Sequence, residues 1–211
     1  ASCEEKVTVK LHGSDGRVVA KTVFTIRVHA IPELPMSIPF TQWFHVDCIA
    51  DVHGVPVYSE EHWALIDKYM ALAVSLDINM ILTPVITPPL DTKVGTTRPC
   101  TQLVSIEKNG ENYTFDFTLL KRWVDLCRKN GVKYYEISHL FSQWGIKHSA
   151  NVKVKIDGEE KYLFGWHTDA QDPEYRRFLE AFLPSLVDFF EKEGIKDRCY
   201  FHVSDEPSAN S

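Results

Sequence analysis

From Thr41 onward the chain keeps one rhythm of short apolar strand, loop and amphipathic helix, and few folds accommodate it. Residues 41–47 (TQWFHVD) read as a first buried strand. A helix follows from Ser59. Glu60 and Glu61 lie in its first turn, where the helix dipole favours acids, and Trp63, Ile66, Met70 and Val74 share one face. Residues 80–85 (MILTPV) form a second strand. Thr118 then caps a helix bearing Leu120, Trp123, Val124 and Cys127, closed by Gly131. Residues 133–138 (KYYEIS) are a third strand. Asp172 and Pro173 open a helix with Phe178, Leu179, Phe182 and Leu186 on its apolar face, where Pro184 predicts a kink or a break. Residues 198–203 (RCYFHV) supply a fourth strand.

Strands alternating with helices imply right-handed crossovers and a parallel sheet. An open doubly wound sheet fits that pattern, but no glycine-rich phosphate loop follows the first strand. The favoured alternative is a (β/α)8 barrel. A complete one needs about 250 residues and eight strands, whereas this chain has 211 residues and four such strands. The expected fold class is α/β, a partial (β/α)8 TIM-type barrel made of its first four strands. Two long connections carry their own hairpins, one around Asn109-Gly110 and one around Asp157-Gly158. Both follow carboxyl ends of strands, where barrels build their active sites.

The first 31 residues are different. Residues 6–11 and 18–28 alternate apolar and polar around Gly13-Ser14-Asp15-Gly16, as an antiparallel hairpin with one wet face does. Pro32, Pro35 and Pro39 then interrupt regular structure. Two strands alone are marginally stable, so the hairpin is expected to belong to a larger sheet. The expected division is 1–38, hairpin and linker, and 39–211, barrel half.

A net charge of −6 gives no basic surface for phosphates, which disfavours nucleic acid and anionic membrane as partners. No apolar run approaches the roughly 18 residues a bilayer span needs. The five cysteines are odd in number and widely spaced, so neither a disulfide framework nor a structural zinc site is expected.

Polar residues cluster at the strand ends: His45, Asp47 and Asp51; Thr83; His139, with Trp144 beyond; and Asp205-Glu206. Trp166 and His167 lie on the loop between strands three and four. Rings that stack on pyranose faces and carboxylates that bind hydroxyls suit sugar recognition. Asp205-Glu206 admits two readings. One is a helix N-terminus, with Ser204 or Asp205 as cap. The other, favoured by the strand-end setting, is catalytic: glycoside cleavage needs an acid for the leaving oxygen and a group that stabilises the cationic anomeric carbon. His45 and Asp47 could ligate a metal, but a hydrogen-bonded pair fits equally and the tight His-x-His spacing is lacking, so no metal is expected. Glu136, mid-strand, is either a buried second carboxylate or the partner of an arginine or water. Trp63 and Trp123 are expected in the core.

The segments FHVSDEPS (201–208) and QWFHVDCIAD (42–51) resemble glycoside hydrolase family 123. The resemblance implies a β-sandwich followed by a (β/α)8 barrel, with an Asp-Glu pair ending the fourth barrel strand. It also implies β-N-acetylgalactosaminidase activity by retaining, substrate-assisted hydrolysis. Glu206 matches the general acid/base and Asp205 the residue that orients the 2-acetamido group. His45, Asp47, His139, Trp144, Trp166 and His167 are the candidate substrate-binding residues. The resemblance implies no metal or organic cofactor, a glycan or glycoconjugate as partner, and an extracytoplasmic setting, which the residues themselves do not show. With only half a barrel, the chain is expected to be a fragment, weak or inactive alone, or to associate with a second copy through an open strand edge.

Overall fold

The computed structural model describes residues 2–31, 34, 36–90, 93–143 and 145–206, and the chain divides into two compact units, Ala1–Pro35 and Met36–Ser211. The first unit is an antiparallel ribbon of β1 (Cys3–His12) and β2 (Val18–Val28). Its turn is set by Gly16 at φ 76° and by the Asp15 carboxylate, which accepts from the Arg17 amide at 3.0 Å. Nearly every ribbon residue is exposed, including Val9, Leu11, Val19, Val23 and Ile26, so neither face is dry.

The second unit opens with β3 (Thr41–Gln42), much shorter than the expected strand, because Val46 already starts helix α1 (Val46–His53). The reason is visible in the spacing of Val46, Ile49 and Ala50, which places one apolar face at helical period and buries it. Helix α2 (Glu60–Ser75) begins where expected, with the Ser59 hydroxyl accepting from the His62 amide. Strand β4 (Met80–Thr83) follows, then the hairpin β5 (Ser105–Asn109) and β6 (Asn112–Asp116). Helix α3 (Thr118–Asn130) ends on Gly131 at φ 83°, a left-handed closure that favours glycine. Its N-cap position belongs to Phe117, not Thr118. The side-chain acceptor is Asp116, which takes both the Thr118 amide and its hydroxyl. After β7 (Tyr134–Ile137) come the hairpin β8 (Val152–Ile156) and β9 (Glu159–Phe164), helix α4 (Pro173–Lys192) and β10 (Cys199–Phe201). Helix α4 is capped by Asp172 and runs through Pro184 without a break.

Strands β3, β4, β7 and β10 form one parallel sheet in that sequential order. One face, with Ile81, Tyr135 and Ile137, packs into a core shared with Trp63, Ile66, Met70, Trp123 and Phe182. The Trp123 indole donates to Thr83 Oγ1 on that face, so Thr83 is a core contact and not a rim residue. Buried Asn79 holds the amino-terminal ends together. Its side chain bonds Phe40 N and Ile38 O, and its carbonyl accepts from Lys133 and Tyr134. The architecture is a mixed α/β fold with several sheets.

The two hairpins predicted from Asn109-Gly110 and Asp157-Gly158 are present, and they merge. Strand β5 pairs parallel with β8, giving a second sheet ordered β6-β5-β8-β9. Gln102 reinforces the join by bonding both the amide and the carbonyl of Lys153.

Glu174 in the first turn of α4 fastens this second sheet to the helix. Its carboxylate accepts from the Tyr113 hydroxyl at 2.5 Å and pairs with Arg177 and with Lys108 at 3.2 Å. The Tyr113 bond first, then Arg177 and Lys108, hold its pKa down at about 2, against an ordinary 4.5. A depressed folded pKa gives stability that is in place above 4.5 and is lost as pH falls toward 2. Glu174→Gln is therefore expected to lower unfolding stability by about 1–2 kcal/mol at neutral pH, after solvent screening. Urea titrations should show the gap between the two proteins closing between pH 4.5 and 2. A gap independent of pH would assign the loss to packing.

Candidate active site

The opposite face of the parallel sheet is organised by a buried carboxylate. Glu136, on β7, is buried. Its Oε2 accepts from Thr41 Oγ1 at 2.6 Å, and its Oε1 meets the Trp43 indole N–H at 3.3 Å and His202 Nδ1 at 3.0 Å. Thr41 lies on β3, and β4 stands between β3 and β7. In a flat sheet those strands would be about 10 Å apart, with side chains standing off the plane. The direct Thr41–Glu136 bond therefore requires the sheet to curl, with Glu136 on the concave side. Three segments from distant parts of the sequence converge there.

Beyond the carboxyl ends of β7 and β10 the curl brings His139, His202 and Asp205 together, with one potential ligand atom of each within 4.8 Å of the others. The His139 and His202 rings are 3.9 Å apart between centroids, and the Trp43 indole meets His139 edge-on at 5.9 Å. His139 is fully buried, and neither ring nitrogen has a hydrogen-bond partner among the described residues. Burial first, then the neighbouring His202 imidazole, push its pKa down to about 4, while Glu136 pulls the other way. His139 is thus a neutral imidazole at neutral pH.

Asp205 and Glu206 follow on the loop after β10. The Gln143 amide donates to Asp205 Oδ2 at 2.8 Å. The backbone before the pair is anchored: Leu140 N and Phe141 N donate to Val203 O, and Ser204 Oγ donates to Ser142 O. Glu206 sits at φ 46°, in the left-handed region that residues with a Cβ seldom adopt. The carboxylate of Asp205 is half-buried and Glu206 is exposed. A helix capped by Ser204 or Asp205 would run through residues 207–211, which lie outside the described residues.

Other residues singled out in the sequence are distributed differently. His45 occupies the N-cap position of α1, its ring 6.3 Å from that of Trp43 in an edge-on contact. Asp47 is in the first turn of α1, where both its oxygens accept from Arg98 at 2.9 and 3.0 Å. The pair is nearly buried, and Arg98 also donates to Leu90 O, so it ties the loop after β4 to α1. Asp51 is exposed on α1. The Trp166 indole donates to Thr96 O and its ring contacts His148, while the exposed His167 bonds Leu163 O. Trp144 lies outside the described residues. Trp43, His202 and Gln143 were not singled out. Trp43 and His202 are period-2 neighbours of His45 and Ser204, and that alternation was the available signal.

The Asp47–Arg98 pair makes a direct forecast. Asp47→Ala leaves a buried guanidinium without its partner and should cost about 3–5 kcal/mol. Thermal or urea unfolding of Asp47→Ala, Arg98→Ala and the double variant checks this. The double variant should lose clearly less than the sum of the singles, and strict additivity would remove the pair from the account.

A family model described as "Glycoside hydrolase 123, catalytic domain" matches residues 43–211. A search of curated protein sequences gave no match. Among solved structures the chain is similar to a family 123 glycoside hydrolase from Clostridium perfringens, whose structural analysis addressed glycolipid glycan hydrolysis. The two share 10% identity at a TM-score of 0.66, over 98% of this chain and 37% of that one. At that identity the likeness is one of fold.

Proposed function

The chain belongs to glycoside hydrolase family 123, and from that premise we propose that its site removes terminal β-linked N-acetylhexosamine, in particular N-acetylgalactosamine, by retaining, substrate-assisted hydrolysis. The observation that carries the reading is the pair at the end of β10: Asp205 oriented by Gln143, followed directly by Glu206 in a left-handed turn. In this reading the sheet is the first four strands of a (β/α)8 barrel, whose catalytic residues gather at the carboxyl ends of the strands.

The reaction runs in two steps. Glu206 gives its proton to the glycosidic oxygen as the bond to the anomeric carbon breaks. The carbonyl oxygen of the substrate's 2-acetamido group attacks that carbon from the opposite face, forming an oxazolinium ring. Asp205 accepts the acetamido N–H and stabilises the positive charge that develops on the amide. Gln143 fixes one carboxylate oxygen, so that the other is turned to the sugar. Glu206 then takes a proton from water, which opens the ring on the face the leaving group vacated. Configuration is retained, and no enzyme nucleophile is needed. Trp43 supplies an apolar ring beside His139, suited to a pyranose face. The glycan of a glycolipid is one substrate class consistent with the solved relative.

The test compares aryl β-N-acetylgalactosaminide with the β-N-acetylglucosaminide, using the chain alone and a protein extended to the length of the solved relative. Glu206→Gln should cut kcat about 10²–10⁴-fold, and far less for aryl leaving groups that need little protonation. Asp205→Asn should be damaging with both kinds of leaving group. Near-normal turnover in both variants removes the pair from the mechanism. Sugar binding without hydrolysis by the extended protein favours a carbohydrate-binding role instead.

A further inference from the structure

Two features of the site are left unused by hydrolysis as derived above. His139 is buried with both ring nitrogens unpartnered among the described residues, and burying such polar atoms is costly unless something satisfies them. His202 has its Nδ1 engaged by Glu136 at 3.0 Å. A carboxylate on one imidazole nitrogen leaves the other as a directed lone pair, the arrangement found behind histidines that ligate metals.

The geometry points to a binding site for one divalent transition-metal ion of the Zn²⁺ class at His139, His202 and Asp205, occupied in place of the sugar. Two imidazoles and one carboxylate form a donor set that such ions take with a position left open. The three ligand atoms lie within 4.8 Å of one another. An ion about 2.0–2.2 Å from each would hold them about 3–4 Å apart, so small side-chain rotations close the set. The backbone can hold it: β7 and β10 are adjacent parallel strands, and Leu140 and Phe141 bond Val203 directly. Gln143 fixes Asp205 Oδ2. The site draws on residues 139, 202 and 205, not on the His45 and Asp47 that sequence spacing brought forward, because Asp47 is taken by Arg98.

Exclusion of the sugar rests on the glycosidase reading; binding of the ion does not. An ion on Asp205 neutralises the carboxylate that must accept the acetamido N–H. Ion and substrate therefore compete, and the ion is an inhibitor, not a cofactor.

The experiment is equilibrium dialysis of the chain against Zn²⁺ alone, with Co²⁺ spectra as a second probe. Five free cysteines are the rival ligands, and thiolate ligation of Co²⁺ announces itself by sulfur-to-metal charge transfer. One ion per chain is expected, with nitrogen and oxygen ligation. Its affinity should fall in His202→Ala, and in Asp205→Asn on the loop, by more than the ~10–100-fold that outer-sphere changes cost. Asp205→Asn keeps the side-chain shape and spares the core, so its result stands even if a histidine variant misfolds. Ion affinity unchanged in Asp205→Asn, a thiolate spectrum, or no binding at millimolar Zn²⁺ overturns the proposal. In a further arm, N-acetylgalactosamine is titrated into the metal-free chain and then into the Zn²⁺ complex. Mutual displacement supports competition, and simultaneous binding overturns it. Because sugar binding and aryl glycoside hydrolysis are scored without metal, failure of the glycosidase reading is seen separately.

Discussion

The site depends on one buried carboxylate. Glu136 accepts hydrogen bonds from Thr41 and Trp43 at the start of the unit and meets His202 near its end. A buried carboxylate is costly without such partners, and loss of any one would leave one of its hydrogen bonds unmet. The cost is offset only if β3, β7 and the segment after β10 stay in their relative places. That demand imposes the curl of the sheet, which in turn sets Trp43 against His139 and His139 against His202. Asp205 and Glu206 then emerge from a backbone already pinned at Val203 and Ser204.

Much of the fold was legible because its signals are local. Ser59 and Asp172 accept amide protons at their helix starts, and Gly131 closes α3 with the positive φ that glycine tolerates. The turns at Asn109-Gly110 and Asp157-Gly158 mark hairpins within a few residues of chain. The failures are also local, but ambiguous. In TQWFHVDCIA the aromatic alternation speaks for a strand, and the later spacing of Val46, Ile49 and Ala50 speaks for a helix. The strand yields after two residues. At Asp116-Phe117-Thr118 the N-cap position moves by one residue and the capping side chain by two, since both oxygen-bearing side chains can serve.

The site was legible only in part, and the reason is distance along the chain. Asp205 and Glu206 stand next to each other and announce themselves. Glu136 and Thr41 are 95 residues apart, Glu136 and His202 66 apart, and nothing in either segment names its partner. Asp47 shows the converse. Its position beside His45 made it look like a binding residue, and only the return of the chain at Arg98 gives it a structural role. Strand order, not motif, decides these pairings.

The second sheet has a consequence for how a ligand is received. The excursions after β4 and β7 pair through β5 and β8, and Gln102 locks them at Lys153. Neither excursion can swing as an independent flap without breaking ladder hydrogen bonds of the other. The wall they build gives up its conformational freedom when the chain folds, not when a ligand arrives. Any ligand that met this surface would dock against a fixed mould: little reorganisation on association, and selectivity exercised by shape before any closure takes place.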